Sequence, residues 1–385
     1  MNGLRIALLA NLKSNAPHDA GEPEDRWYEL DSERTVDAIT SALQERGHQV
    51  TFLEGDTSLY QELERGDFDI AFNICEGHRG DARESQVPAI LEMLGIPYTG
   101  SKVLCLALTL DKAMTKRILA FHGLPTPRFQ VFEAAHQPVD SELRFPLFVK
   151  PSREGTGIGI SARSVVRHGD ELRRQVRWVL QTYQEPALVE EYIEGREITV
   201  GVLGNQQLYV LPPLEVDLSA CPPEEEGIYT GRIKSEFPQL PCYVCPAPLT
   251  EAQVQQLSHL AVEAFRTVDC LDMARVDFKL AANDGERPYI LEINPLPGLS
   301  PGVSDLVFEA EAVGMSHAQL INAILNEALK RYPQLAHRTS HEYLMQIPQA
   351  SRGWIGAETR TMNGAGVGFA LAPHNKMATR ARTRR

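Results

Sequence analysis

Hydrophobic positions along this chain follow two rhythms in alternation. Positions 4–11 are a nearly continuous apolar run, the pattern of a strand buried on both faces. A polar, acidic stretch to position 31 follows, with glycine and proline that discourage regular structure. Between 32 and 46 the apolar residues are Val36, Ile39, Ala42 and Leu43, the spacing of an amphipathic helix, and Gly47 supplies a stop. Short strands are predicted at 50–53 and 68–73. Strand, helix and strand joined by short links predict a parallel sheet, a small α/β unit over about the first hundred residues. Positions 87–94 read as a helix and 110–122 as another, closed by Gly123 ahead of Pro125 and Pro127.

A new region opens with the apolar run at 145–150. Strand patterns at 187–192, 197–203 and 208–214 are close enough to join as hairpins, which predicts antiparallel sheet and an α+β second half. Positions 212–248 read as one long irregular loop rich in proline and charge, the kind more often functional than idle. A helix is predicted at 249–269, capped by Thr250 with Glu251 in its first turn. Strands at 273–280 and 289–293 and a helix at 316–331 complete the pattern, and Pro333 ends it.

Composition narrows the class. The 385 residues are too many for one ordinary domain, and 43% hydrophobic with 23% charged is the balance of a globular protein. No apolar run reaches the roughly 18 residues of a membrane span. The first apolar stretch is too short for a signal peptide. A net charge of −13 argues against a broad phosphate-backbone binder. Eight basic against two acidic residues in 335–385 set that end apart as a basic, loosely held tail. Six cysteines are no disulfide framework, so a reducing cytoplasm is the expected location. The CxxC at Cys242 and Cys245 lacks a second pair and is a weak zinc signal.

Three segments carry chemistry. In Arg275-Val276-Asp277 and Glu292-Ile293-Asn294, residues two apart share a strand face. Two neighbouring strands would then present two carboxylates, an amide and a guanidinium on one surface, oxygen ligands suited to Mg²⁺ and a polyphosphate. In Lys150-Pro151-Ser152-Arg153-Glu154-Gly155-Thr156-Gly157-Ile158-Gly159, a lysine at a strand end precedes glycines whose backbone N–H groups could approach a phosphate. A plain glycine-rich hairpin turn explains that segment about as well. The third, Glu190-Glu191-Tyr192-Ile193-Glu194-Gly195-Arg196-Glu197, could offer carboxylates to a ribose and backbone groups to an adenine edge; on its own an acidic surface turn is favoured.

Taken together and in this order, the three segments resemble the ATP-grasp superfamily, and within it the D-alanine–D-alanine ligase family. Leu91 to Ser101, Ala107 to Lys112 and Cys245 to Leu249 extend the likeness, which covers roughly residues 4 to 332. The resemblance implies an ATP-grasp fold of α/β and α+β parts with a Rossmann-like N-terminal subdomain at 1–103. A central subdomain would span 104–190, a C-terminal subdomain with the metal site 191–332, and the tail 333–385. It implies an ATP-dependent carboxylate–amine ligase working through an acyl phosphate, with two Mg²⁺ ions, or Mn²⁺ in their place. Carried over position by position, Lys112 and Lys150 would bind ATP phosphates beneath the loop of Gly155, Thr156, Gly157 and Gly159. Glu190, Glu191 and Ile193 would hold adenosine and Glu197 the ribose. Asp277, Glu292 and Asn294 would bind metal, Arg275 would stabilise the anionic intermediate, and Lys234 would reach the γ-phosphate from the long loop.

Departures from the family pattern concern the amino-acid pocket. Glu76 stands where the family has histidine, Thr156-Gly157 where it has a serine pair, and Ser235 where a tyrosine follows the loop lysine. The acceptor serine aligns with Val303, one position before Ser304. The N-terminal glutamate has Glu29, Asp31 and Glu33 as nearby candidates, of which Glu33 is taken with Glu76 and Ser304 for substrate. The expected partners are small-molecule amino acids, with neither nucleic acid nor membrane, and a homodimer stays open. Ligation of other amino acids, or of an amino-acid-like natural-product precursor, is one alternative. A nucleotide-binding protein without ligase activity is another.

Overall fold

A computed structural model describes residues 3–17, 21–225, 227–237, 240–335 and 360–363. The N-terminal unit runs β1 (Arg5–Ala10), α1 (Glu33–Gln44), β2 (Gln49–Glu54), α2 (Leu59–Arg65), β3 (Ile70–Asn73) and α3 (Gln86–Leu94). Its three strands are parallel in the order β2-β1-β3, with Ile6 level with Val50 on one side and Ile70 on the other. β1 is central and covered on both faces, which is why its sequence is apolar throughout. One face packs on Val36, Ile39 and Leu43 of α1, the other on Leu59, Leu63, Val87 and Leu91. Helix α3 stops at Gly95 in the left-handed conformation, φ 69°, which a glycine adopts without a side-chain clash.

The helix predicted at 110–122 is α5 (Lys112–Phe121), and a second helix that was not predicted, α4 (Val103–Leu110), precedes it. Asp111 breaks the run: its backbone is extended and its carboxylate accepts from the Met114 amide, capping α5.

The central sheet is antiparallel in the order β4-β7-β5-β6, from β4 (Phe129–Phe132), β5 (Leu147–Pro151), β6 (Val165–Val166) and β7 (Ala187–Glu191). Helix α6 (Gly169–Thr182) lies over it through Leu172, Val176 and Val179. The third sheet is larger. Its strands are β8 (Gly195–Gly204), β9 (Leu208–Val210), β10 (Leu214–Asp217), β11 (Cys242–Cys245), β12 (Asp272–Ala281) and β13 (Arg287–Asn294). Interspersed are α7 (Gly231–Glu236), α8 (Glu251–Thr267), α9 (Asp305–Ala312) and α10 (His317–Arg331), and the sheet closes with β14 (Arg360–Asn363). The order is β13-β12-β8-β10-β11-β14, with β9 also on β8. Ala274, Val276, Phe278 and Leu280 of β12 go down into the core under α8, and the alternate residues face the other way.

Two expectations are corrected here. The stretch 212–248 is not one irregular loop, since β10, α7 and β11 lie within it. Cross-strand pairing, of β10 with β8 and of β11 with β10, recruits short segments whose own apolar patterns are too brief to signal a strand. The tail is not wholly loose either: residues 360–363 pair antiparallel with β11, from Cys242 opposite Asn363 to Cys245 opposite Arg360. The open edge of β11 supplies the partner that a sequence pattern cannot show.

Candidate active site

The three sheets converge on a cavity of about 450 Å³. Its wall includes Lys112, Lys150, Gly155, Thr156, Gly157, Glu190, Glu191, Ile193, Glu197, Arg275, Asp277, Glu292, Asn294, Glu76 and Ser304. Fifteen of the eighteen candidate residues thus share one space. Glu33 does not belong to it: it opens α1 at the surface and accepts from the Ser14 hydroxyl, while Glu29 lines the cavity instead. Gly159 lies behind the wall, its amide donating to the Asp25 carboxylate at 2.8 Å. Lys234 is in α7, with its side chain outside the described residues.

Alternation on β12 and β13 places Arg275, Asp277 and Lys279 beside Glu292 and Asn294. Arg275 grips Asp277 with two hydrogen bonds, 2.7 and 2.8 Å, and the Asn294 side-chain N–H donates to the same carboxylate at 2.9 Å. Burial pushes the Asp277 carboxyl up to about 6, although Arg275 opposes that rise. Glu292, its neighbour across the strands, behaves oppositely. Burial would raise it, but Lys112 at 3.2 Å, Lys150 and Arg275 hold it well below the usual carboxylate range. Two carboxylates side by side therefore differ by which cations surround them.

Lys112 also donates to the Glu154 carbonyl at 2.7 Å. Behind it lies a buried triad that sequence reasoning missed: Glu190 is 2.7 Å from both Lys116 and Lys150. The triad gives Glu190 the role of a bridge between two lysines. Burial brings the Lys116 ammonium down to about 8 even with that partner. Lys116 follows Lys112 by one helical turn, the one signal that could have pointed to it. Lys279 ion-pairs with Glu197 at 3.0 Å, and it continues the 275, 277 alternation.

The glycine loop is covered. Gly157, at φ 77°, touches Gly231 at the start of α7, where an added Cβ would meet the Gly231 nitrogen at 2.8 Å. From the N-terminal unit, Asp25 binds Gly159 and Tyr183, and Arg26 pairs with Glu154. Thr230 caps α7 and donates to Glu225 at 3.0 Å.

Asp277, Glu292 and Asn294 are hard oxygen donors, and the Asn294 nitrogen is turned to Asp277, which leaves its carbonyl oxygen as an acceptor. That set fits Mg²⁺, or Mn²⁺, only in company with substrate phosphates. Among the described residues no group of three His, Cys, Asp or Glu side chains could hold a metal alone. Cys242 and Cys245 are three apart on β11 and so lie on opposite sheet faces, which excludes a shared zinc. All six cysteines are free, and no helix among the described residues is long and apolar enough to cross a membrane.

Residues 118–326 match the family model described as D-ala D-ala ligase C-terminus. A D-alanine–D-alanine ligase of Syntrophotalea carbinolica is 36% identical over 298 residues, 77% of this chain and 91% of that protein. An uncharacterized protein of Sinorhizobium fredii is 39% identical over 307 residues, 78% of this chain and 88% of that one. The crystal structure of D-alanine–D-alanine ligase from Bacillus anthracis complexed with ATP matches with a TM-score of 0.66 at 22% identity, covering 86% of this chain and 98% of that one. The fold is thus ATP-grasp, and the enzyme is an ATP-dependent ligase that forms carbon–nitrogen bonds. The chain belongs to the D-alanine–D-alanine ligase family.

Proposed function

We propose that this enzyme joins the carboxylate of one amino acid to the amine of a second through an acyl phosphate, releasing ADP and phosphate. The observation that carries the reading is the convergence in one cavity of Lys112 and Lys150 with Arg275, Asp277, Glu292 and Asn294. D-alanine–D-alanine ligation in the cytoplasm is the family's nearest label for it.

A carboxylate is a poor electrophile, so its oxygen first attacks the γ-phosphorus of ATP and ADP leaves. Lys112 and Lys150, both on the cavity wall, would neutralise the phosphoryl oxygens as charge builds. Asp277, Glu292 and Asn294 would hold Mg²⁺, which when bound offsets the polyphosphate charge. The amine then attacks the acyl carbon, and Arg275 opposes the charge of the tetrahedral oxyanion before phosphate departs. Gly157 resting on Gly231 keeps water from the acyl phosphate. Glu190, Glu191 and Ile193 would hold adenosine and Glu197 the ribose, and Lys234 is the proposed γ-phosphate lysine.

The test is phosphate release with Mg-ATP and a panel of D- and L-amino acids, with products identified by mass spectrometry. Glu292→Gln should remove turnover and leave the melting temperature within a few degrees, because it leaves Lys112 without its carboxylate and the ion without a ligand. Near-normal turnover in that variant overturns the assignment.

A further inference from the structure

Amide formation requires a group not yet assigned, the acceptor of the proton that the attacking amine must lose. That amine reaches the acyl carbon beside Arg275, so the acceptor has to stand close to the Arg275 guanidinium. Three carboxylates act on Arg275: Asp277, Asp305 and Glu292. Asp277 takes two hydrogen bonds from Arg275 and a third from Asn294. Glu292 is held by Lys112 at 3.2 Å. Asp305 stands apart. One of its oxygens is 3.8 Å from the Arg275 Nε, beyond hydrogen-bond reach, and its side chain lies on the cavity wall. Among the described residues no donor hydrogen-bonds to its carboxylate.

The chain fixes Asp305 at that point. It is the first residue of α9, and Leu306, Val307 and Phe308 directly after it are buried in the core. Ser304, the N-cap, accepts from the Ser300 amide at 2.9 Å, which ties the preceding turn to the helix start. Other proton acceptors at this end are excluded. No histidine or cysteine among the described residues lines the cavity. The Tyr229 and Tyr243 hydroxyls hydrogen-bond to each other, and burial, with the Asp305 charge adding to it, pushes both phenols up, so they keep their protons at neutral pH. Among the described residues no glutamate of the N-terminal unit pairs with Arg275.

We propose that Asp305 is the catalytic base that takes the proton of the attacking amine. The inference rests on the ligase reading and deepens it by assigning the proton transfer. The acceptor's ammonium gives one proton to an Asp305 oxygen, and the freed lone pair forms the nitrogen–carbon bond at the acyl phosphate. The carbonyl electron pair moves onto the oxygen that Arg275 faces. When it returns, the bond from carbon to the phosphate oxygen breaks. Phosphate leaves with the second proton of the nitrogen, and Asp305 gives its own to water.

The experiment uses the full-length protein with Mg-ATP and D-alanine, or the amino acid of the panel that wild type turns over fastest. Ligation to an amino acid is compared with hydroxamate formation when hydroxylamine is supplied as the amine. Hydroxylamine is unprotonated at neutral pH and needs no base to free its lone pair, yet its attack builds the same oxyanion against Arg275. Asp305→Asn should lose ligation by about 100-fold or more, with hydroxamate formation within about 3-fold of wild type and the melting temperature unchanged. A loss of ligation below about tenfold overturns the inference. So does an equal loss of both reactions, because a residue that only positions Arg275 impairs the oxyanion whichever amine attacks. Wild type that forms neither peptide nor hydroxamate with any amino acid of the panel would sink the ligase reading itself, and the role of Asp305 with it.

Discussion

Glu190→Gln probes how the enzyme tolerates two lysines beneath its nucleotide site. Glu190 is 3% exposed and stands 2.7 Å from Lys116 and from Lys150. Even so partnered, Lys116 is brought by burial from 10.5 down to about 8. Without the carboxylate it drops further and sheds its proton at neutral pH. Deprotonation caps the cost of a buried lysine at roughly 1.4 kcal/mol for each of the ~3.5 units between its unfolded value and pH 7, about 5 kcal/mol. Most of that is already present in the wild type, so Lys116 adds only about 1 kcal/mol. Loss of the Lys150 pair brings the total to about 3–5 kcal/mol.

The sign with pH follows from the same numbers. The folded-state value of Lys116 lies below its unfolded value, so between the two the unfolded chain binds more protons and stability rises with pH. In the variant that rise begins lower, and by about pH 9 the Lys116 share of the penalty has vanished. Urea unfolding of wild type, Glu190→Gln and Glu190→Gln/Lys116→Met at pH 7 and 9 measures this directly. The double variant should recover at least about 1 kcal/mol at pH 7. A single variant within about 0.5 kcal/mol of wild type, or one that Lys116→Met does not improve, would refute the reasoning.

Three further expectations follow from geometry. Arg331→Ala should cost about 3–5 kcal/mol in urea, because Arg331 binds the fully buried Asp272 at 2.7 Å and also the Tyr98 and Gly100 carbonyls, yet it lies outside the cavity. Gly157→Ala should lower kcat/KM for ATP by about tenfold with little change in melting temperature, since the new methyl meets the Gly231 nitrogen at 2.8 Å and the left-handed backbone disfavours it. Asp31 is pushed by burial from 3.8 up to about 7, so the folded state holds its proton longer and stability falls as pH rises between those values. Asp31→Asn should flatten that part of the stability profile, and an unchanged slope would show that Asp31 does not cause it.

Much of this was legible along the chain. Alternation alone placed Arg275 and Asp277 beside Glu292 and Asn294, because a strand face repeats every two residues whatever the fold. The helix ending near Gly47 was equally plain. Other features depend on contacts between distant segments and leave no local trace. Arg83 meets Glu29 and Glu154 across 54 and 71 residues of sequence. The two lysines that flank Glu190 come from α5 and β5, and no local pattern around position 190 announces them. The strands within 212–248 were hidden for a different reason, since hydrophobic spacing is blind to where a hydrogen-bond ladder starts or stops.

The strand at 360–363 bears on the order in which the molecule can be completed. Its partner β11 follows the covering helix α7 directly in sequence, and β14 arrives more than a hundred residues after β11. During synthesis the sheet edge at β11 must wait, unpaired, while the catalytic strands β12 and β13 are already in place. An unpaired edge is a template for another chain. Translation speed over the last stretch, and clipping by proteases within it, would then govern how much enzyme accumulates as single molecules and how much is lost to pairing between copies.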